Sequence, residues 1–132
     1  VIFLDTTVLI DILAGEEKAV KLISRLSGES ELYTSTVNIY EIMKGIYSRK
    51  GNRKKYLDAL ETLTANIYIL PLNYASSAES ARIYGRLKEK GEFIDEPDYL
   101  IAGICLSNRV QKIVTRNAKH FRKVPGMEVI GY

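Results

Sequence analysis

The chain carries one cysteine and one histidine among its 132 residues. A single thiol builds neither a disulfide framework nor a thiolate metal cluster, and a single imidazole excludes acid–base catalysis by a histidine pair. Cys105 lies in the apolar stretch LIAGICL, where a buried, inert thiol is expected. Long apolar runs are scarce as well. The longest, Tyr99 to Leu106, falls far short of the roughly 20 residues that span a bilayer. No basic start followed by an apolar signal segment opens the sequence, so a cytoplasmic location without a membrane partner is the expectation. Low-complexity tracts, repeats and long linkers are missing too. Neither sign of charge dominates: 19 Lys and Arg face 16 Asp and Glu, a net of +3, which suits a polyanionic partner without establishing one.

What is present has the composition of a globular protein, 46% hydrophobic and 27% charged. At this length one domain, residues 1–132, buries about two-thirds of its unfolded surface. Val1 to Leu4 form an unbroken apolar run, the pattern of a strand covered on both faces. ELYTS, IYIL and KIVT read as further strands, and MEVIGY as a fifth. Between them, EEKAVKLISRL reads as an amphipathic helix stopped near Gly28, and STVNIYEIMKGIYSRK and NRKKYLDALETLTA as two helices broken at Gly51 and Asn52. ASSAESARIYGRLKEKG is a helix ended by Gly91, and EPDYLIAGICLSN one that starts with Pro97 at its first position. Strands alternating with helices predict an α/β protein, a three-layer α/β/α sandwich around a mainly parallel sheet of four to five strands.

Several acids then stand out by their place on this map. Asp5 follows the first strand, at the carboxyl end where open α/β sheets bind ligands, although Asp is also a favoured helix cap there. Glu41 lies in the early turns of an otherwise apolar helix, where an unpaired carboxylate is costly. Asp95 and Asp98 bracket a proline at a helix start, and both suit capping and the helix dipole as well as a site. If the fold gathers Asp5, Glu41, Asp98 and Asp95 at one edge, their mutual repulsion calls for a divalent cation. Oxygen donors without a Cys or His pair suit Mg²⁺ or Mn²⁺ rather than Zn²⁺. His120 falls outside this acidic set and is expected to pack or cap. The run SRKGNRKKY places Arg49, Lys50, Arg53, Lys54 and Lys55 between Tyr47 and Tyr56, either a solvated hairpin tip or a surface for phosphates and unpaired bases. Arg116, Lys119, Arg122 and Lys123 lie around Asn117, just after the fourth strand, and are the favoured phosphate-positioning cluster.

FLDTTVLIDIL, NIYEIMKG, PDYLIAGICL and IVTRNAKHF, in that order and spacing, resemble the PIN domain family, specifically its VapC-type toxins, over essentially the whole chain. The resemblance implies that Asp5, Glu41 and Asp98 hold one or two Mg²⁺ or Mn²⁺ ions that cleave RNA. It further implies a homodimer and a VapB-type antitoxin partner; Tyr47 and Tyr84 are suited to such an interface or to the core. Thr6 and Thr115 would orient waters or phosphate oxygens, unless they only cap turns. One departure is visible: many family members have an Asp where this chain has Asn117, and Asp95 is the candidate replacement. A metal-activated water attacking phosphorus needs no histidine base. Other readings on the same fold are an RNA-processing nuclease, a flap-type DNA nuclease and a non-catalytic RNA-binding domain. A receiver module fits poorly, because the only mid-chain Asp, Asp58, lies inside a helical stretch.

Overall fold

Consecutive strand residues point to opposite faces, so an apolar run such as IFL requires cover on both sides. The computed structural model describes all residues from Val1 to Tyr132 and provides that cover. Strands β1 (Ile2–Leu4), β2 (Leu32–Ser35), β3 (Tyr68–Leu70), β4 (Lys112–Val114) and β5 (Glu128–Ile130) form one sheet in the order β3-β2-β1-β4-β5. Every pairing is parallel, so the sheet has five strands and no antiparallel edge.

Helices α1 (Thr6–Leu13), α2 (Glu17–Ser27), α3 (Thr36–Tyr47) and α4 (Arg53–Thr64) supply one helical layer, and α5 (Tyr74–Glu89), α6 (Glu96–Ser107) and α7 (Ala118–Phe121) the other. The alternation along β1 shows this directly. Ile2 and Leu4 join Val8, Leu22, Ile42 and Leu60 in one core, whereas Phe3 joins Ile83, Leu87, Ile101 and Phe121 in a second. Burying a side chain such as Phe3 completely contributes about 1.5–3 kcal/mol. No helix is long and apolar enough to cross a membrane.

Two local features set the position of α6. First, the helix begins with Glu96, so Pro97 occupies its second position rather than its first; the amide it lacks belongs to the first turn, where no intrahelical acceptor exists anyway. Second, α6 lies against α5 so closely that a Cβ on Gly103 would fall 1.8 Å from Ser80 Oγ and 2.6 Å from the Ser76 carbonyl. This contact fixes the height of α6 and therefore of its acidic N-terminus. The four-residue α7 was not expected, being too short to show a periodic pattern; its buried Phe121 anchors it to the second core.

Candidate metal centre

In this sheet the chain leaves β1 toward β2 on one side, while β4 and β5 lie on the other. The carboxyl ends of β1 and β4 therefore flank the switch point at which open α/β sheets form a crevice. Leu4 pairs with Val114, and the Asp5 amide donates to the Val114 carbonyl at 3.0 Å, so Asp5 and Thr115 leave the sheet side by side. Thr115 Oγ1 donates to Asp5 Oδ2 at 2.6 Å, and Asn38 Nδ2 donates to Asp5 Oδ1 at 3.2 Å. Asp5 does stand at the N-cap position of α1, yet its side chain makes no capping hydrogen bond. Both of its oxygens are committed to neighbouring strands and helices instead, and the residue is only 2% exposed.

Glu41 is held by the same network. Asn38 Nδ2 also donates to Thr6 Oγ1 at 2.9 Å, and Thr6 Oγ1 donates onward to Glu41 Oε1 at 2.8 Å. Asn38 sits on the buried stripe of α3 with Ile42 and Ile46, and Glu41, one residue off that stripe, stays half-buried at its edge. Asn38 escaped the sequence reading. An amide four residues before Ile42 on a core-facing stripe was the available clue, since a buried amide must be hydrogen-bonded. Asp98, in the first turn of α6, is 5% exposed. Its neighbour Asp95 occupies the N-cap position without a side-chain cap bond and remains exposed.

Burial pushes Asp5 up from 3.8 to about 6; its hydrogen bonds from Thr115 and the Thr6 backbone pull it back, while the charges of Asp98 and Glu41 raise it further. Burial likewise raises Glu41, with Thr6 opposing and Asp98 adding to the rise. Asp98 is raised by burial, opposed by the hydrogen bond and charge of His120. The three acids thus feel one another across the crevice. No Lys or Arg forms an ion pair with any of them. Lys44 near Glu41 and His120 beside Asp98 offset only part of this charge, and oxygen donors that repel one another in a partly dry site fit a hard divalent cation.

His120 requires a correction. It was expected outside the acidic set, but α7 folds back over the start of α6 and places Nδ1 2.6 Å from Asp98 Oδ2 and 4.0 Å from Asp95 Oδ2. Donor atoms of Asp95, Asp98 and His120 all lie within 4.8 Å of one another, a grouping that Asp5 and Glu41 do not join. Sequence distance concealed this, because α7 was not foreseen.

The remaining candidates are spread around the crevice. The Asn117 amide donates to Thr115 Oγ1 at 2.8 Å, and the Arg116 amide to Thr7 Oγ1 at 2.9 Å. The Arg116 guanidinium pairs with Asp11 at 3.1 Å, and the Tyr132 hydroxyl donates to the same carboxylate. Lys119 is exposed on α7. Beyond α3, the Arg49 guanidinium lies over the Tyr56 ring at 4.9 Å, and Lys50 is exposed at the turn. Glu41 and Arg49 line a common groove of about 240 Å³ with Ile10 and Tyr56. A second groove, about 610 Å³, reaches Glu41 from the other side past Tyr40, Lys44 and Pro97. Tyr84 packs edge-on against Tyr99 at 5.3 Å yet stays exposed, as does Tyr47.

The same architecture recurs in known proteins. Residues 2–127 match the model of the family described as PIN domain. Ribonuclease VapC19 of Mycobacterium tuberculosis strain H37Rv is 28% identical over 127 residues, covering 95% of each chain. Among solved structures, VapBC2 from Rickettsia felis, bound to a DNA fragment from its promoter, superposes with a TM-score of 0.90 at 17% identity over 99% of this chain and 98% of that one. The sarcin-ricin loop cleaving toxin VapC20 of M. tuberculosis gives a TM-score of 0.68 at 16% identity, over 86% of this chain and 87% of the other.

Proposed function

This chain belongs to the PIN domain family, and from that premise we propose that it is a metal-dependent endoribonuclease, the toxin of a VapBC-type toxin–antitoxin pair. The observation that carries the proposal is the mutual repulsion of Asp5, Glu41 and Asp98 around the crevice, with no Lys or Arg in ion-pair contact with any of them. The curated relative named a ribonuclease supports the activity, and structures described as VapBC assemblies support a VapB-type antitoxin partner. A homodimer in the cytoplasm belongs to the same reading.

Asp5, Glu41 and Asp98 would hold Mg²⁺ or Mn²⁺, with Asp95 at the rim. Bound there, the ion would supply charge neutralisation at the phosphate and a more nucleophilic water near neutral pH. The protein's own part is orientation. Thr115 and Asn38 each fix one oxygen of Asp5, and Thr6 fixes one oxygen of Glu41, so the carboxylates are aligned before substrate arrives and little reorganisation remains. Arg49 lines the groove that reaches Glu41 and Lys50 follows Arg49 in the chain, while Arg116 and Lys119 follow β4; both pairs would offer N–H groups to phosphates along a single strand. Single-stranded or loop RNA is the substrate class, because its backbone can bend into a crevice and its bases are free to splay.

The test is cleavage of single-stranded RNA by purified protein against Mg²⁺ and Mn²⁺ concentration, with Asp98→Asn as the variant and thermal melting as the folding control. Activity should vanish in EDTA and collapse in Asp98→Asn without loss of fold. Full cleavage by chelator-stripped protein, or near wild-type turnover of the variant at saturating metal, would overturn the reading.

A further inference from the structure

From Thr115 to Met127 the chain contains no Asp or Glu. The segment after β4 therefore brings no carboxylate to the crevice, and the strongest metal donor it offers is the imidazole of His120. That ring is held in place: its side chain is 25% exposed, the next residue, Phe121, is buried in the second core, and Nδ1 points at Asp98. Donors bound to one ion at about 2.1 Å stand about 3 Å apart at adjacent octahedral positions and about 4.2 Å apart at opposite ones. Nδ1 stands 2.6 Å from Asp98, a hydrogen-bond distance, and 4.0 Å from Asp95, so Nδ1 and Asp98 would have to part by only about 0.4 Å to share one ion. Nδ1 and Asp98 Oδ2 share a hydrogen bond, and with Asp95 their donor atoms all lie within 4.8 Å of one another.

We propose that His120 Nδ1 is a direct ligand of the metal, completing a mixed nitrogen and oxygen site with Asp98 and Asp95, and that the chain on this account selects Mn²⁺ over Mg²⁺. The proposal rests on the reading of the acids as a metal site. Mg²⁺ keeps oxygen ligands and much of its water, whereas a nitrogen donor favours first-row transition ions. His120 would ligate through Nδ1, releasing to solvent the proton that Nδ1 shares with Asp98 and keeping one on Nε2. Asp95, exposed and without a cap bond, is free to swing onto the same ion.

Pulsed electron paramagnetic resonance of the tag-free full chain loaded with Mn²⁺ alone decides the matter. A directly bound imidazole nitrogen gives a characteristic hyperfine coupling, and with one histidine in the chain such a signal has one source. The wild type should show it. His120→Gln should lose it, with Mn²⁺ affinity by calorimetry falling about tenfold or more and Mg²⁺ affinity changing much less. The wild-type spectrum is decisive even if the variant folds poorly. Bound Mn²⁺ without nitrogen coupling, alongside intact metal-dependent RNA cleavage, would overturn the ligand assignment and leave the nuclease reading in place. Failure of the wild type to bind Mn²⁺ or Mg²⁺ at all would overturn both.

Discussion

Replacing Asp5 by Asn should stabilise the metal-free protein while abolishing its activity. Burial raises the folded-state pKa of Asp5 from 3.8 to about 6. That difference of about 2 units corresponds to about 3 kcal/mol held against the ionised form in the folded state. Asn removes the charge, and with it the repulsion that Asp5 shares with Asp98 and Glu41, but it recovers less than the whole. Its amide keeps one acceptor oxygen for two donors, Thr115 Oγ1 and Asn38 Nδ2, and one weakened hydrogen bond costs about 1 kcal/mol. A net gain of about 1–2 kcal/mol at pH 7 follows, or a rise in Tm of about 3–8 °C for a chain of this size. The pH dependence identifies the cause. Between about pH 4 and 6 folded Asp5 retains a proton that the unfolded chain has released, so wild-type stability falls as pH rises through that window. Near pH 4 and below, the carboxyl is neutral in the folded state and the advantage of Asn fades. Adding metal should reverse the order, since an ion at one hundred times its Kd stabilises the wild type by about 2.7 kcal/mol. The assay is thermal melting of both proteins in chelator from pH 4 to 7, then in Mg²⁺ or Mn²⁺. A Tm difference that stays flat across that pH range would refute the argument.

The packing around the crevice sets two more expected outcomes. Gly103→Ala should destabilise the protein by about 1–3 kcal/mol, because the new Cβ would fall 1.8 Å from Ser80 Oγ and 2.6–2.7 Å from backbone atoms of Ser76 and Ser80, forcing α5 and α6 apart; chemical denaturation measures the loss, and wild-type stability would refute the close approach. Thr6→Val keeps the side-chain shape but removes the hydroxyl that donates to Glu41 and accepts from Asn38; RNA cleavage should fall about tenfold or more, with a stability cost of about 1–2 kcal/mol, and unchanged turnover would show that Glu41 needs no such support.

The sequence by itself determined the layers and the sheet. IFL has no polar face to offer, so it had to be a strand buried on both sides, and the helical stripes between the strands left a parallel sheet as the only economical way to bury them. It also determined the chemistry available: carboxylates, threonines and one histidine, with no thiolate cluster or histidine pair. The tertiary structure alone decided what the acids touch. Asp5 and Asp95 occupy cap positions that their side chains do not use, and for Asp5 this depends on Asn38 and Thr115 reaching it from elements 33 and 110 residues away. Likewise, His120 meets Asp98 across 22 residues because a four-residue helix turns the chain back over α6. Local pattern cannot reveal such meetings, since periodicity reports the face a residue occupies within its own element, while the partner across a crevice is set by how separate elements pack.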